Sequence, residues 1–219
     1  MTSTFDRVRD ELGSAVVHGV LPPGHRESID GFVGRTGASR SIVREAVRVL
    51  VGCGLLAAQR RTGLTVQQSA AWDVTDPLVI GWQLAGPHRE QVLAELRALR
   101  RAVEPAAAAA AAARAPDATS REGLEALLAA ADRLAAAAGP GGPAAFLQAD
   151  RALHRSVLTL SGNAVFVRLG RVVTRALDER ADIRPDVHDV ALHGRLARAI
   201  ADADAVTAEA TMTEIIDRT

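Results

Sequence analysis

The chain has no lysine: all 26 basic residues are arginine, set against 26 aspartates and glutamates, for a formal net charge of zero. A balanced chain names no partner through its overall charge. With heavy alanine use, the arginine bias reflects a GC-rich coding sequence, so only the placement of arginine argues for nucleic-acid binding. A single cysteine, Cys53, excludes an intrachain disulfide and a cysteine-built zinc site, and fits a reducing compartment. No basic-then-apolar leader opens the chain, so a cytoplasmic location is expected. The long apolar run, Ala106 to Ala113, is eight alanines, too short and too weakly hydrophobic to cross a bilayer, and no membrane partner is expected.

What is present is enough for two ordinary domains. The 219 residues are 48% hydrophobic and 24% charged, a globular composition. Residues 1–70 hold nine Arg against six acids (+3), leaving seventeen against twenty (−3) for the rest. A basic front and an acidic back suggest two tasks.

Phe5, Val8, Leu12, Ala15 and Val16 are spaced as one face of a helix that Gly19 ends. "LPPG" (21–24) is a turn, Ile29 to Arg35 a short helix, and Ser39 an N-cap for the next segment. There Val43, Ala46, Val47 and Leu50 follow i, i+3, i+4, i+7. Residues 55–67, "LLAAQRRTGLTVQ", read as two short strands around a basic turn. Three helices and a hairpin are the order of a winged helix-turn-helix, placed over 1–68. A connector, 69–87, carries both tryptophans and is too apolar to be a free linker. Beyond it, helices are expected near 88–114, 120–138, 144–161, 163–181, 187–201 and 202–216. The fold class is therefore mainly α: a winged helix-turn-helix with a small β-hairpin wing, then an all-α bundle over 88–219.

Arg40, Arg44 and Arg48 lie together on the third helix, about 60–140° around from its apolar face. A solvated face is one reading. An ion-pair ladder is another, but within the helix only Glu45 sits three or four residues from one of them, Arg48. A DNA-reading surface is the third: Ser39, Arg40 and Ser41 occupy the helix start that such a motif presents to base edges. Arginine grips guanine O6 and N7 with two hydrogen bonds, and serine contacts bases or phosphates.

"GVLPPG", "GASRSIVREAVRVLVGCGLL" and "RRTGLTV" together resemble the N-terminal domain of GntR-family transcription regulators over about Val16 to Gln67, most specifically in "SRxxVREAxRxL". The resemblance implies base contacts from Arg40 and Arg44 supported by Ser39 and Ser41. It places Arg60 and Arg61 in the wing on DNA, and Gly63 at the wing tip near the minor groove. Arg48 is left as a phosphate or structural residue. The family's acidic-Leu-Ala pattern in the second helix is replaced here by "SIDGFVG" (28–34).

The helical remainder resembles the family's FCD ligand-binding domain, through "ELRALRRAVEPAAAAAAA", "FLQADRALHRSVLTLSGN" and "HGRLARAIADADAVTAEATM". The connector resembles that of the sugar-acid (galactonate-type) branch. Spacing alone puts Asp150 and His154 on one helical face, where a histidine is more often a core residue than a ligand. The resemblance adds His193 and implies that these three hold a divalent metal (Zn, Ni or Mn), although the usual fourth ligand position carries Ile215. It also implies that Arg100 binds a carboxylate effector; the alternative is an i, i+4 ion pair with Glu104. The expected function is that of a homodimeric repressor on palindromic operator DNA, nucleoid-associated when bound and controlled by a small carboxylate or sugar acid. A metal-dependent hydrolase, or a DNA binder with a vestigial pocket, are the alternatives.

Overall fold

Ser3 accepts a hydrogen bond from the amide of Asp6 and starts the first helix, α1 (Thr4–Val17), of a computed structural model that describes residues 3–59, 63–117, 120–138, 142–179 and 187–218. The chain divides into two compact units, Met1–Val92 and Leu93–Thr219.

In the first unit, α1 is followed by strand β1 (Arg26–Glu27), α2 (Ile29–Thr36), α3 (Arg40–Gly52), and strands β2 (Leu56–Gln59) and β3 (Gly63–Val66). Each early helix has its signal. Ser28 caps α2 by accepting from the amide of Gly31, and Gly37, at φ +64°, ends it in the left-handed conformation. Ser39 caps α3. The three strands form an antiparallel sheet in the order β1-β3-β2, with Leu56 opposite Val66 and Arg26 opposite Thr65. The apolar stripe of α3 (Val43, Ala46, Val47 and Leu50) is buried, with Val8 and Leu12 of α1, Phe32 of α2, and Leu56 and Leu64 of the strands. Cys53 is buried in the same core; burial, then the nearby charges of Asp76 and Asp73, push its thiol up to about 11, well away from a reactive thiolate.

The connector contains a helix, α4 (Pro77–Leu84), capped by Asp76 with proline in its first turn. Val79 and Trp82 join the first core. The Trp82 indole nitrogen donates to Asp10 Oδ1 at 3.2 Å, and His18 Nε2 lies 2.8 Å from the Trp82 carbonyl oxygen. Trp82 lies so close over α1 that a Cβ on Gly13 would come within 2.4 Å of the indole.

The regular structure of the second unit is all helical among its described residues: α5 (Arg89–Arg114, beginning in the first unit), α6 (Arg121–Ala136), α7 (Gly142–Leu160), α8 (Ala164–Asp178), α9 (Val187–Ala201) and α10 (Ala205–Asp217). Ala107, Ala108, Ala111 and Ala112 are fully buried, so the alanine run of α5 lets neighbouring helices pack close to its backbone. Residues 202–204, expected to be helical, instead form a turn. Ala203 adopts φ +60°, and Asp204 caps α10 by accepting from the amide of Thr207. None of the described helices is long and apolar enough to cross a membrane.

Candidate functional site

The strip on α3 is exposed as its angular position requires. Arg40, Arg44 and Arg48 all face solvent. Arg48 is tied to Glu45, 2.5 Å away. Arg40 contacts Asp30 of α2. Arg44 has no ion pair among the described residues, so its guanidinium is available to an incoming acceptor. Ser39 spends its hydroxyl on the α3 cap, with Ser41 Oγ 3.1 Å away. Gly63 begins β3 at φ +83°, and a Cβ there would meet the Glu27 carbonyl oxygen at 2.9 Å. Glycine is thus required by the backbone at this position. Arg60 and Arg61 lie outside the described residues.

In the second unit, α7 presents Asp150 and His154 on one face, and α9 brings His193 to them. All three are buried, and one ligand atom from each lies within 4.8 Å of the others. Asp150 Oδ1 is 3.0 Å from His193 Nε2 and 3.5 Å from His154 Nε2. Neither contact is a hydrogen bond, and both Nε2 atoms are buried without a hydrogen-bond partner among the described residues. The other ring nitrogens are committed. His193 Nδ1 donates to the backbone carbonyl of Asp189 at 2.6 Å, and His154 Nδ1 to Glu104 Oε2. A carbonyl only accepts, so Nδ1 of His193 carries the proton and, in the neutral ring, Nε2 keeps its lone pair. Two imidazoles held by outer partners, with their Nε2 atoms turned toward a carboxylate, form a donor set suited to a divalent cation, which would displace the Nε2 proton that His154 carries in the metal-free protein. The residues fit the metal. Ile215 is buried in the apolar core and offers no ligand atom.

Arg100 takes the ion-pair alternative. Its Nε donates to Glu104 Oε1 at 2.6 Å, with both side chains buried. Glu104 therefore links Arg100 to His154, a role not seen in the sequence because its second partner lies 50 positions away. Burial opposes charge on Glu104, but the positive charges of His154 and Arg100 outweigh it and hold the carboxyl down at about 2. Burial also disfavours charge on His154, yet Glu104 and Asp150 push its imidazole up to about 9. Asp150, against the same burial penalty, is held well below the usual carboxylate range by His154 and His193.

These shifts set a pH window for the metal-free protein. The raised His154 contributes stability in full below its ordinary value near 6.5, and this is lost as pH rises through about 9. The lowered Glu104 contributes above its ordinary value near 4.5 and loses this as pH falls through about 2. Melting curves of chelator-treated protein are expected to fall between pH 6.5 and 9, and to fall again on acidification. A flat alkaline limb would show that His154 is not charged in the folded protein.

Comparison with known proteins bears on both halves. The FCD domain family matches residues 95–218. The galactonate operon transcriptional repressor of Escherichia coli (strain K12) is 30% identical over 183 residues, spanning 80% of this chain and 76% of that protein. Among solved structures, a Streptococcus agalactiae GntR protein is 21% identical, with 97% of each chain covered and a TM-score of 0.54. A structure described with Lar and the Listeria monocytogenes agr system is 15% identical, covers 100% of this chain and 95% of that one, and has a TM-score of 0.66. The two structural likenesses speak for the fold, a winged helix followed by a helical bundle.

Proposed function

Because the chain belongs to the GntR family of transcription regulators, in its FCD-domain branch, we propose that it is a repressor whose operator binding is controlled by a small carboxylate metabolite held at a metal in the second unit. Family membership makes it a DNA-binding regulator rather than a hydrolase. The observation that carries the finer reading is the buried Asp150–His154–His193 cluster, whose two Nε2 atoms make no hydrogen bond among the described residues. Orphaned buried nitrogens are costly unless something occupies them. A divalent ion on these three residues keeps positions open for a ligand carboxylate, and Arg100 would share or exchange Glu104 for that same carboxylate. A sugar acid is the favoured class, because the galactonate operon repressor is a relative over most of the chain.

At the other end, α3 would enter the major groove, with Arg40 and Arg44 reading bases, Ser39 and Ser41 beside them, and Arg60, Arg61 and Gly63 following along the wing. A symmetric dimer would place two such helices on a palindrome.

The test is a thermal-shift screen of sugar acids with and without Zn²⁺, Mn²⁺ or Ni²⁺, followed by gel shifts on a duplex selected from a random library. A ligand that binds only the folded state raises the melting temperature by mass action. The expected result is a sugar acid whose shift requires the metal and which changes occupancy of the selected duplex. If no metal binds and no acid shifts the curve, the second reading stands: a DNA binder with a vestigial pocket, as the apolar Ile215 favours.

A further inference from the structure

Arg40 is the first residue of α3, and the first turn of that helix holds no acid. A cation there faces the positive end of the helix dipole, an unfavourable place that a nearby carboxylate relieves. The carboxylate comes from another helix. Asp30, in the first turn of α2 where the dipole favours an anion, meets Arg40 Nη1 across ten residues of sequence. The two side chains are 69% and 63% exposed, and so open a pair contributes little to folding. What it fixes is direction. Without Asp30, a guanidinium on a flexible stem at the DNA-facing helix end would settle on the nearest phosphate.

We propose that Asp30 is a specificity-determining positioning residue, which holds Arg40 in line with a guanine edge and away from the phosphate backbone. Two consequences follow from the chemistry. The carboxylate takes Nη1, which leaves the Nε and Nη2 edge of the guanidinium to meet guanine O6 and N7. Its negative charge near the duplex also penalises contacts that are purely electrostatic, lowering affinity for sequences without that guanine. This inference rests on Arg40 contacting a base.

The experiment is in vitro selection from a randomised duplex library with the full chain, comparing wild type, Asp30→Asn, Arg40→Ala and the double variant. Binding to one selected duplex and one unrelated duplex is then measured at fixed salt. Asp30→Asn keeps the shape and leaves the Ser28 cap intact, so an unchanged melting curve is expected. The expected result is a loss of about fivefold in guanine preference at one position per half-site, equivalent to about 1 kcal/mol. That position should be the one Arg40→Ala relaxes, and affinity for the unrelated duplex should rise. In the Arg40→Ala background, Asp30→Asn should no longer change base preference. If Arg40→Ala relaxes a position but Asp30→Asn leaves it intact, or raises all affinities equally with and without Arg40, the inference is wrong while the reading of Arg40 stands. If Arg40→Ala leaves base preference unchanged, that reading fails and the role of Asp30 falls with it.

Discussion

Replacing His154 with alanine is expected to abolish any metal-induced rise in melting temperature and to lower the melting temperature of the metal-free protein as well. The two effects have different origins. Loss of Nε2 removes one of the three candidate ligand atoms, leaving Asp150 and His193, too few for a firm site. Loss of Nδ1 takes from Glu104 one of its two buried partners, leaving Arg100 alone to offset a fully buried carboxylate. Removing one member of a buried charged network costs about 3–5 kcal/mol. His193→Ala separates the two, since its Nδ1 is held by a backbone carbonyl and leaves Glu104 untouched. It should lose the metal response with a smaller loss of metal-free stability. Melting curves with and without Zn²⁺ check both, and a full metal response in His154→Ala would remove that residue from the site.

Arg44→Ala is expected to weaken binding to a selected operator by about 1–3 kcal/mol and to relax preference at one base pair per half-site. Arg44 is exposed near the start of α3 and carries no ion pair among the described residues, so it gives up no internal partner on meeting a base. Arg48 provides the contrast. Its guanidinium is 2.5 Å from Glu45, and Arg48→Ala should have a smaller effect that is alike for all sequences. Arg61→Ala should also weaken all sequences alike. Footprinting of the Arg40→Ala, Arg44→Ala double variant gives the strictest check, since retained specificity would rule out readout by this face.

Where one face of an element meets one core, the sequence was sufficient. Val43, Ala46, Val47 and Leu50 were legible because burial on a helix repeats with the helix. In the sequence α4 shows only as an apolar connector, because Val79, Ile80, Trp82 and Leu84 are buried around most of its circumference and the periodicity vanishes. Strand β1 is two polar residues whose pairing with Leu64 and Thr65 is set by chain geometry, not by pattern. The metal candidates were half visible. Asp150 and His154 are one turn apart, while His193 came through family resemblance. Glu104 shows in the sequence only as the neighbour of Arg100, because its tie to His154 exists only after α5 and α7 pack.

The seating of Trp82 over Gly13 bears on how this gene can be recombined. A splice made at the end of the wing would leave Val79 and Trp82 on the wrong side of the joint, opening the apolar core they share with α1. A transplantable reading head must instead carry its chain through Val92, where the first unit ends. The same constraint acts on natural shuffling. A recombination event that brings a new second domain to this winged helix must bring α4 along with it, or supply another side chain to fill the space above Gly13.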